Sequence, residues 1–172
     1  MAIGSARPMH SARVVRQPKA QVSVNDLAIT TSNTYVTLPD VKRPGKLAAK
    51  CWVSGFSFTE SGGYLGRIRA LFFENGFASV TMTAPEAKID ITSRRVVATG
   101  GVLIRSLRQS NTYLRCDRMI WTPKNNQVIA DGHVFYHTSS GATLVTPRLI
   151  GDTALKSLRS DIGGKAIFPK GW

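Results

Sequence analysis

The chain has 172 residues, 42% of them apolar, with 23 Lys and Arg against 10 Asp and Glu and a net charge of +13. That suits one domain with a real core and excludes long low-complexity disorder. No window of 18 or more apolar residues is present to span a bilayer as a helix, and two cysteines cannot build a disulfide framework.

From the start, residues 1–21 hold Arg7, Arg13, Arg16 and Lys19, no acid and no apolar stretch of the secretory kind, so they read as a flexible basic arm. RIRALFFENG (67–76) fits a short helix or another strand. From residue 80 the chain alternates. VTMTAPEAKIDIT (80–92), GVLIRSL (101–107), NTYLRCDRMIWT (111–122), QVIADGHVFYHT (127–138) and GATLVTPRLIG (141–151) are rich in β-branched and aromatic residues. Turns fall at Thr92–Arg95, Gln109–Asn111, Pro123–Asn126 and Ser139–Gly141. No clean helical stripe appears, so the chain is all-β. One domain is expected over 22–160 and a tail over 161–172, in which Gly163 and Gly164 mark a break.

An ungapped internal repeat has an offset of 32: Val96 meets Val128, Ala98 meets Ala130, Gly100 meets Gly132 and Val102 meets Val134. Met82 likewise meets Leu114, Ala87 meets Met119 and Ile89 meets Trp121; a partial third copy starts at Leu144. Each unit reads as a strand broken near Pro85, a polar turn, and a second strand with A-x-G-x-V. Between Val97 and Val102 the apolar parity changes from odd to even, which predicts a β-bulge at the glycine. Stacked bent hairpins would share one apolar face.

TAPEAKIDITSRRVVATGGVLI, LRCDRMIWTPKNNQVIADGHVFY and LVTPRLIG, in that order over residues 80–155, resemble the OstA-like/LptC family of lipopolysaccharide transport proteins. The resemblance implies a twisted β-jellyroll, two antiparallel sheets closing like a V over a hydrophobic groove for acyl chains; residues 22–60 fit loosely as the first strands of such a domain, and Gly62 to Phe77 looks like an insertion relative to compact relatives. It also implies lipopolysaccharide or a similar anionic glycolipid as ligand. Implied partners are other bridge proteins, joined by β-edge pairing, and an inner-membrane export transporter. The implied location is the periplasm, with inner-membrane association, although no signal or anchor is read in this sequence.

On this reading the lipid-groove candidates are Val80, Met82, Ile89, Ile91, Val102, Ile104, Leu114, Met119, Trp121, Ile129, Val134, Tyr136, Leu144 and Leu149. Each is equally a candidate for ordinary core. The headgroup candidates are Arg94, Arg95, Arg115, Arg118, Lys124 and Arg148, each of which also suits a solvated strand or turn. Shielding a twelve-carbon chain is worth on the order of 10 kcal/mol, and a basic residue near an anionic surface ~1 kcal/mol, so the groove would supply most of the affinity.

His133 and His137 have an i, i+4 spacing, but in a strand they stand ~13 Å apart, too far to share a metal. Cys51 and Cys116 could pair or stay as buried thiols. Enzymatic signatures such as G-x-S-x-G, a P-loop or H-E-x-x-H are missing, so neither catalysis nor a cofactor is expected. Two other readings stay open. One is a basic nucleic-acid-binding β-domain, although no nucleic acid is expected, because the basic residues are not interleaved with an exposed aromatic row. The other is a structural β-solenoid or assembly subunit with a filled interior.

Overall fold

A computed structural model describes residues 29–40, 42–59, 62–90 and 92–168. The basic arm, Ile91 and the last four residues of the tail lie outside them. The strands are β1 (Ile29–Pro39), β2 (Leu47–Thr59), β3 (Gly62–Glu74), β4 (Phe77–Asp90), β5 (Arg95–Ser106), β6 (Tyr113–Thr122), β7 (Gln127–His137), β8 (Thr143–Asp152), β9 (Leu158–Arg159) and β10 (Lys165–Ile167). They make one open antiparallel sheet in the order β1-β2-β3-β4-β5-β6-β7-β8-β10, with β9 also on β8. Every long strand therefore neighbours the strand before and after it in the chain, as tight polar turns favour. All four expected turns join strands here, and residues 67–74 are strand, not helix. The stretch from Gly62 is a full member of the sheet between β2 and β4.

The repeat is a repeat of register. Met82 pairs with Ile104 and Ala87 with Ala98, just as Leu114 pairs with Tyr136 and Met119 with Ala130. Pairing is interrupted at the same place in successive strands: between Thr83 and Glu86, Thr99 and Val102, Arg115 and Arg118, and Asp131 and Val134. These interruptions form a crease across the sheet. It runs through Arg67, Pro85, Gly100–Gly101, Asp117, Gly132–His133 and Pro147, with positive φ at Arg67 (31°) and His133 (40°).

The crease changes which residues face inward. In β4 the buried positions are Val80, Met82 and Ala84 before it but Ala87 after it. In β6 they pass from Leu114 and Cys116 to Met119 and Trp121, and in β8 from Thr146 to Leu149. The expected parity change in β5 is not observed. Val96, Ala98, Val102 and Ile104 all point inward, and Val97 does not. The physical reason is the bulge itself: β5 spends two residues, Gly100 and Gly101, opposite the one residue Asp117 of β6, and the added residue cancels the reversal. β7 does the same with Gly132 and His133 opposite Pro147.

The curl of the sheet brings distant strands together. Phe72 of β3 meets Trp121 of β6 edge to face, ring centroids 4.8 Å apart. Around them Met82, Leu114, Met119, Val134 and Leu149 are all at most 1% exposed. Each such side chain contributes about 1.5–3 kcal/mol by leaving water, so this interior dominates the stability.

Gly132 has φ +73°, and a Cβ there would lie 2.5 Å from Asp117 Oδ2; Gly76 has φ +85° with nothing within 4 Å. Gly76→Ala should therefore cost about 1 kcal/mol, the left-handed penalty alone, and Gly132→Ala about 2 kcal/mol or more. Urea unfolding midpoints measure the difference, and equal losses would remove the crowding argument.

Candidate functional site

The groove candidates divide by place. Val80, Met82, Val102, Ile104, Leu114, Met119, Trp121, Val134 and Leu149 are buried in the packed interior, with Tyr136 and Leu144 half-buried against them. Ile129 is on the other face: its neighbours Val128 and Ala130 point inward, and it pairs with Ile120 and Ile150 in an outward row. Ile91 lies outside the described residues. Ile89 lines an open cleft.

That cleft lies where the outer end of β1 approaches the β4–β5 and β6–β7 turns. Leu38, Pro39, Ile89, Val96 and Pro123 line it, and its volume is about 310 Å³. Arg94, Arg95 and Lys124 stand around it, all exposed, with Asp90 beside them. The β4–β5 turn explains this grouping. Asp90 Oδ1 accepts the Ser93 N–H at 2.9 Å, and Arg94 takes the left-handed conformation (φ 52°) that closes the turn. The Ser93 N–H also holds the Asp90 carboxyl below its ordinary pKa. The rim therefore carries three cations and one firmly ionised acid.

Beneath the rim, Ile89, Val96 and Trp121 occupy one cross-strand row. The indole Nε1 of Trp121 is buried and finds no hydrogen-bond acceptor among the described residues. Such a donor is costly unless something eventually accepts from it. Next to the apolar cleft, and sharing Pro123 with it, is a polar recess of about 320 Å³ that includes Lys42, Arg43 and Glu74. Here Arg43 pairs with Asp40 at 2.7 Å, and Glu74 with Arg108 and Lys156 at 2.8 Å each. Glu74 thus ties the end of β3 to the segment after β8.

The other headgroup candidates are elsewhere. Arg118 and Arg148 lie on the outward side beyond the crease, in the row Glu86, Thr99, Arg118, Asp131, Arg148. Arg148 Nε is 3.5 Å from Asp131 and 3.6 Å from Asp161, so it is already offset by acids. Arg115 belongs to the outward side before the crease, opposite Leu103 and Phe135. His133 Nδ1 is 2.6 Å from Asp117 Oδ2 at the crease, while His137 stands beside the Tyr113 ring, so the two histidines serve different places.

Sequence reading missed Leu38, Pro39, Val96 and Pro123. The signal available was slight: cation pairs or singles in turns directly after apolar strand ends, at Arg94–Arg95 and Lys124. Leu38 had no local signal, because its approach to Ile89 depends on the curl of the whole sheet.

Cys51 and Cys116 are both free and buried. Burial pushes both thiols up to about 12, helped at Cys116 by the Asp117 and Asp131 carboxylates. Both stay protonated at pH 8, so an aromatic disulfide reagent should show no fast reaction with the native protein and two equivalents of release after unfolding. A fast native phase would contradict the burial.

No protein-family model and no curated protein matches this chain.

Proposed function

We propose that the protein is a non-enzymatic lipid-binding component of lipopolysaccharide export, of the OstA-like/LptC type. An acyl chain sits in the cleft at the outer end of β1, and its phosphorylated headgroup rests on Arg94, Arg95 and Lys124. In this reading the crease is the spine of a V. The halves of the sheet on either side are the two leaves of a jellyroll, and the cleft is at their open end.

The observation that carries the reading is the apolar cleft with a cationic rim. Its 310 Å³ is at the lower end of small-molecule sites, so it takes one tail or part of one. The filled interior around Met119 and Trp121 is not the seat. Apolar contact supplies most of the affinity, at ~0.8 kcal/mol per CH₂ shielded, and each rim cation adds ~1 kcal/mol that salt screens.

The rest of the proposal concerns partners. β8 carries β9 and β10 along its outer side, whereas β1 pairs on one side only among the described residues. An eleven-strand-residue edge of this kind suits pairing with another bridge protein in the periplasm, near an inner-membrane transporter. The packed interior favours a second reading, a structural assembly subunit that joins by its edges and carries no lipid.

Calorimetric titration with monododecyl phosphate, below its micelle concentration, separates the two. Saturable one-to-one binding is expected. Ile89→Arg should weaken it at least tenfold in protein that remains folded at the titration temperature, with a lowered unfolding midpoint because Ile89 also packs against the core. Lys124→Glu should weaken dodecyl phosphate more than neutral dodecyl maltoside. Absence of saturable binding to the folded protein would leave the structural reading standing.

A further inference from the structure

The outward side of the sheet before the crease carries a surface that no linear motif announces. Cross-strand pairing places Tyr35 opposite Trp52 and Trp52 opposite Arg69. Farther along the same row, Leu103 is opposite Arg115, Arg115 opposite Phe135, and Phe135 opposite Val145, which meets Lys165. The next row holds Lys50, Leu71, Arg105 and Tyr113. Basic and aromatic residues are thus interleaved, contrary to the expectation drawn from the linear order, because register and not chain order sets which side chains adjoin. No position in either row carries a carboxylate. Among the described residues none of the five cations (Lys50, Arg69, Arg105, Arg115, Lys165) is ion-paired. Tyr35 is 60% exposed, Val145 45% and Trp52 41%.

We propose that this face lies on the surface of an anionic phospholipid bilayer, with Trp52 and Tyr35 at headgroup level and the five cations against lipid phosphates. Three features favour a bilayer over a single-stranded nucleic acid. The ring faces on which bases would stack are already occupied: Lys50 Nζ lies 4.6 Å from the Tyr35 centroid and 5.2 Å from that of Trp52, and Arg115 lies 5.4 Å from Tyr113. Tyr113 also stacks on Phe135 at 6.0 Å. Second, aliphatic Leu71 and Leu103 lie between the Tyr35–Trp52 and Tyr113–Phe135 pairs and Val145 lies beyond them, which suits the boundary between headgroups and acyl chains. Third, this is the outer face of a curled sheet, not a groove that would track a strand.

Two recesses give the face its detail. Arg105 and Arg115 flank one of about 240 Å³, with Ser106, Asn111 and Tyr113 as further hydrogen-bonding groups, which has room for a phosphate and the donors to hold it. A hollow of about 490 Å³ opens between Trp52, Arg69, Leu71 and Thr81, where the small threonine leaves room for the glycerol end of a tail. The chemistry resembles the amphipathic-ring and cation pairing of membrane-interface belts.

This surface is separate from the cleft, and its test is independent of lipid capture there. The full chain is mixed with vesicles of phosphatidylcholine alone or with 30 mol% phosphatidylglycerol, and bound protein is measured by flotation. Binding to the anionic vesicles alone is expected, falling as salt rises. Arg69→Glu with Arg115→Glu should weaken it at least 25-fold, at about fivefold or more per cation, and Trp52→Ala should weaken it severalfold. Neither change should alter dodecyl phosphate binding or the unfolding midpoint. Equal binding to both vesicles, or no effect of either variant, overturns the proposal. An oligo-dT that binds more tightly than the anionic vesicles would assign the face to single-stranded nucleic acid and overturn it equally.

Discussion

The structure depends on one constraint: where the sheet curls over its own apolar side, every strand must still present apolar residues inward on both sides of the fold line. A strand alternates strictly, so each strand meets this demand in one of two ways. β4, β6 and β8 let the change happen, and two successive side chains face outward there. β5 and β7 insert one extra residue and so keep their inward set unchanged. The bulging strands need backbone conformations open to glycine, and they lie close over Pro85 and Asp117 of the strands they cross. The alternation of these two devices is what the internal repeat of 32 residues encodes.

Once the crease is in place, the energetics follow. Closing the sheet buries Phe72, Met82, Met119 and Trp121 together. The ion pairs that link distant segments, such as Glu74 with Arg108 and Lys156, are partly exposed and contribute about 0–1 kcal/mol each. Apolar burial therefore holds the fold shut, and the ion pairs adjust its outer end. An interior this full leaves cations and acids no place but the turns and the outer faces. The charge is consequently sorted by location. Beyond the crease, Arg118 and Arg148 share a row with Glu86 and Asp131. Before it, the cations have no acidic neighbour in their rows. That asymmetry, rather than the net charge, is what makes one face suited to an anionic surface.

Much of this was legible from residues alone. The turns at Thr92–Arg95 and Pro123–Asn126, the strands from residue 80 onward and the bulges at Gly100 and Gly132 follow from local chemistry, since turn formers and alternating apolar residues act over a few positions. The parity change expected in β5 is absent from the structure. Val97 looks like a core residue beside Val96, and two adjacent valines do not say which faces in. Ile129, between two inward residues, was misplaced for the same reason. β3 was ambiguous because RIRALFFENG is short and apolar enough for either helix or strand; only its two neighbours in the sheet decide the matter.

What the amino-acid order determined by itself was an all-β chain of bent hairpins, broken at fixed places and greasy on one side. Local conformational preference and the period-two pattern suffice for that. The tertiary structure alone decided that the candidate groove residues would close on one another, that Leu38 would meet Ile89 across an open cleft, and that Tyr35, Trp52, Arg115 and Phe135 would share one outward row. Those outcomes depend on register and curl, which arise from cooperation among strands far apart in the chain, and no short stretch of residues carries them.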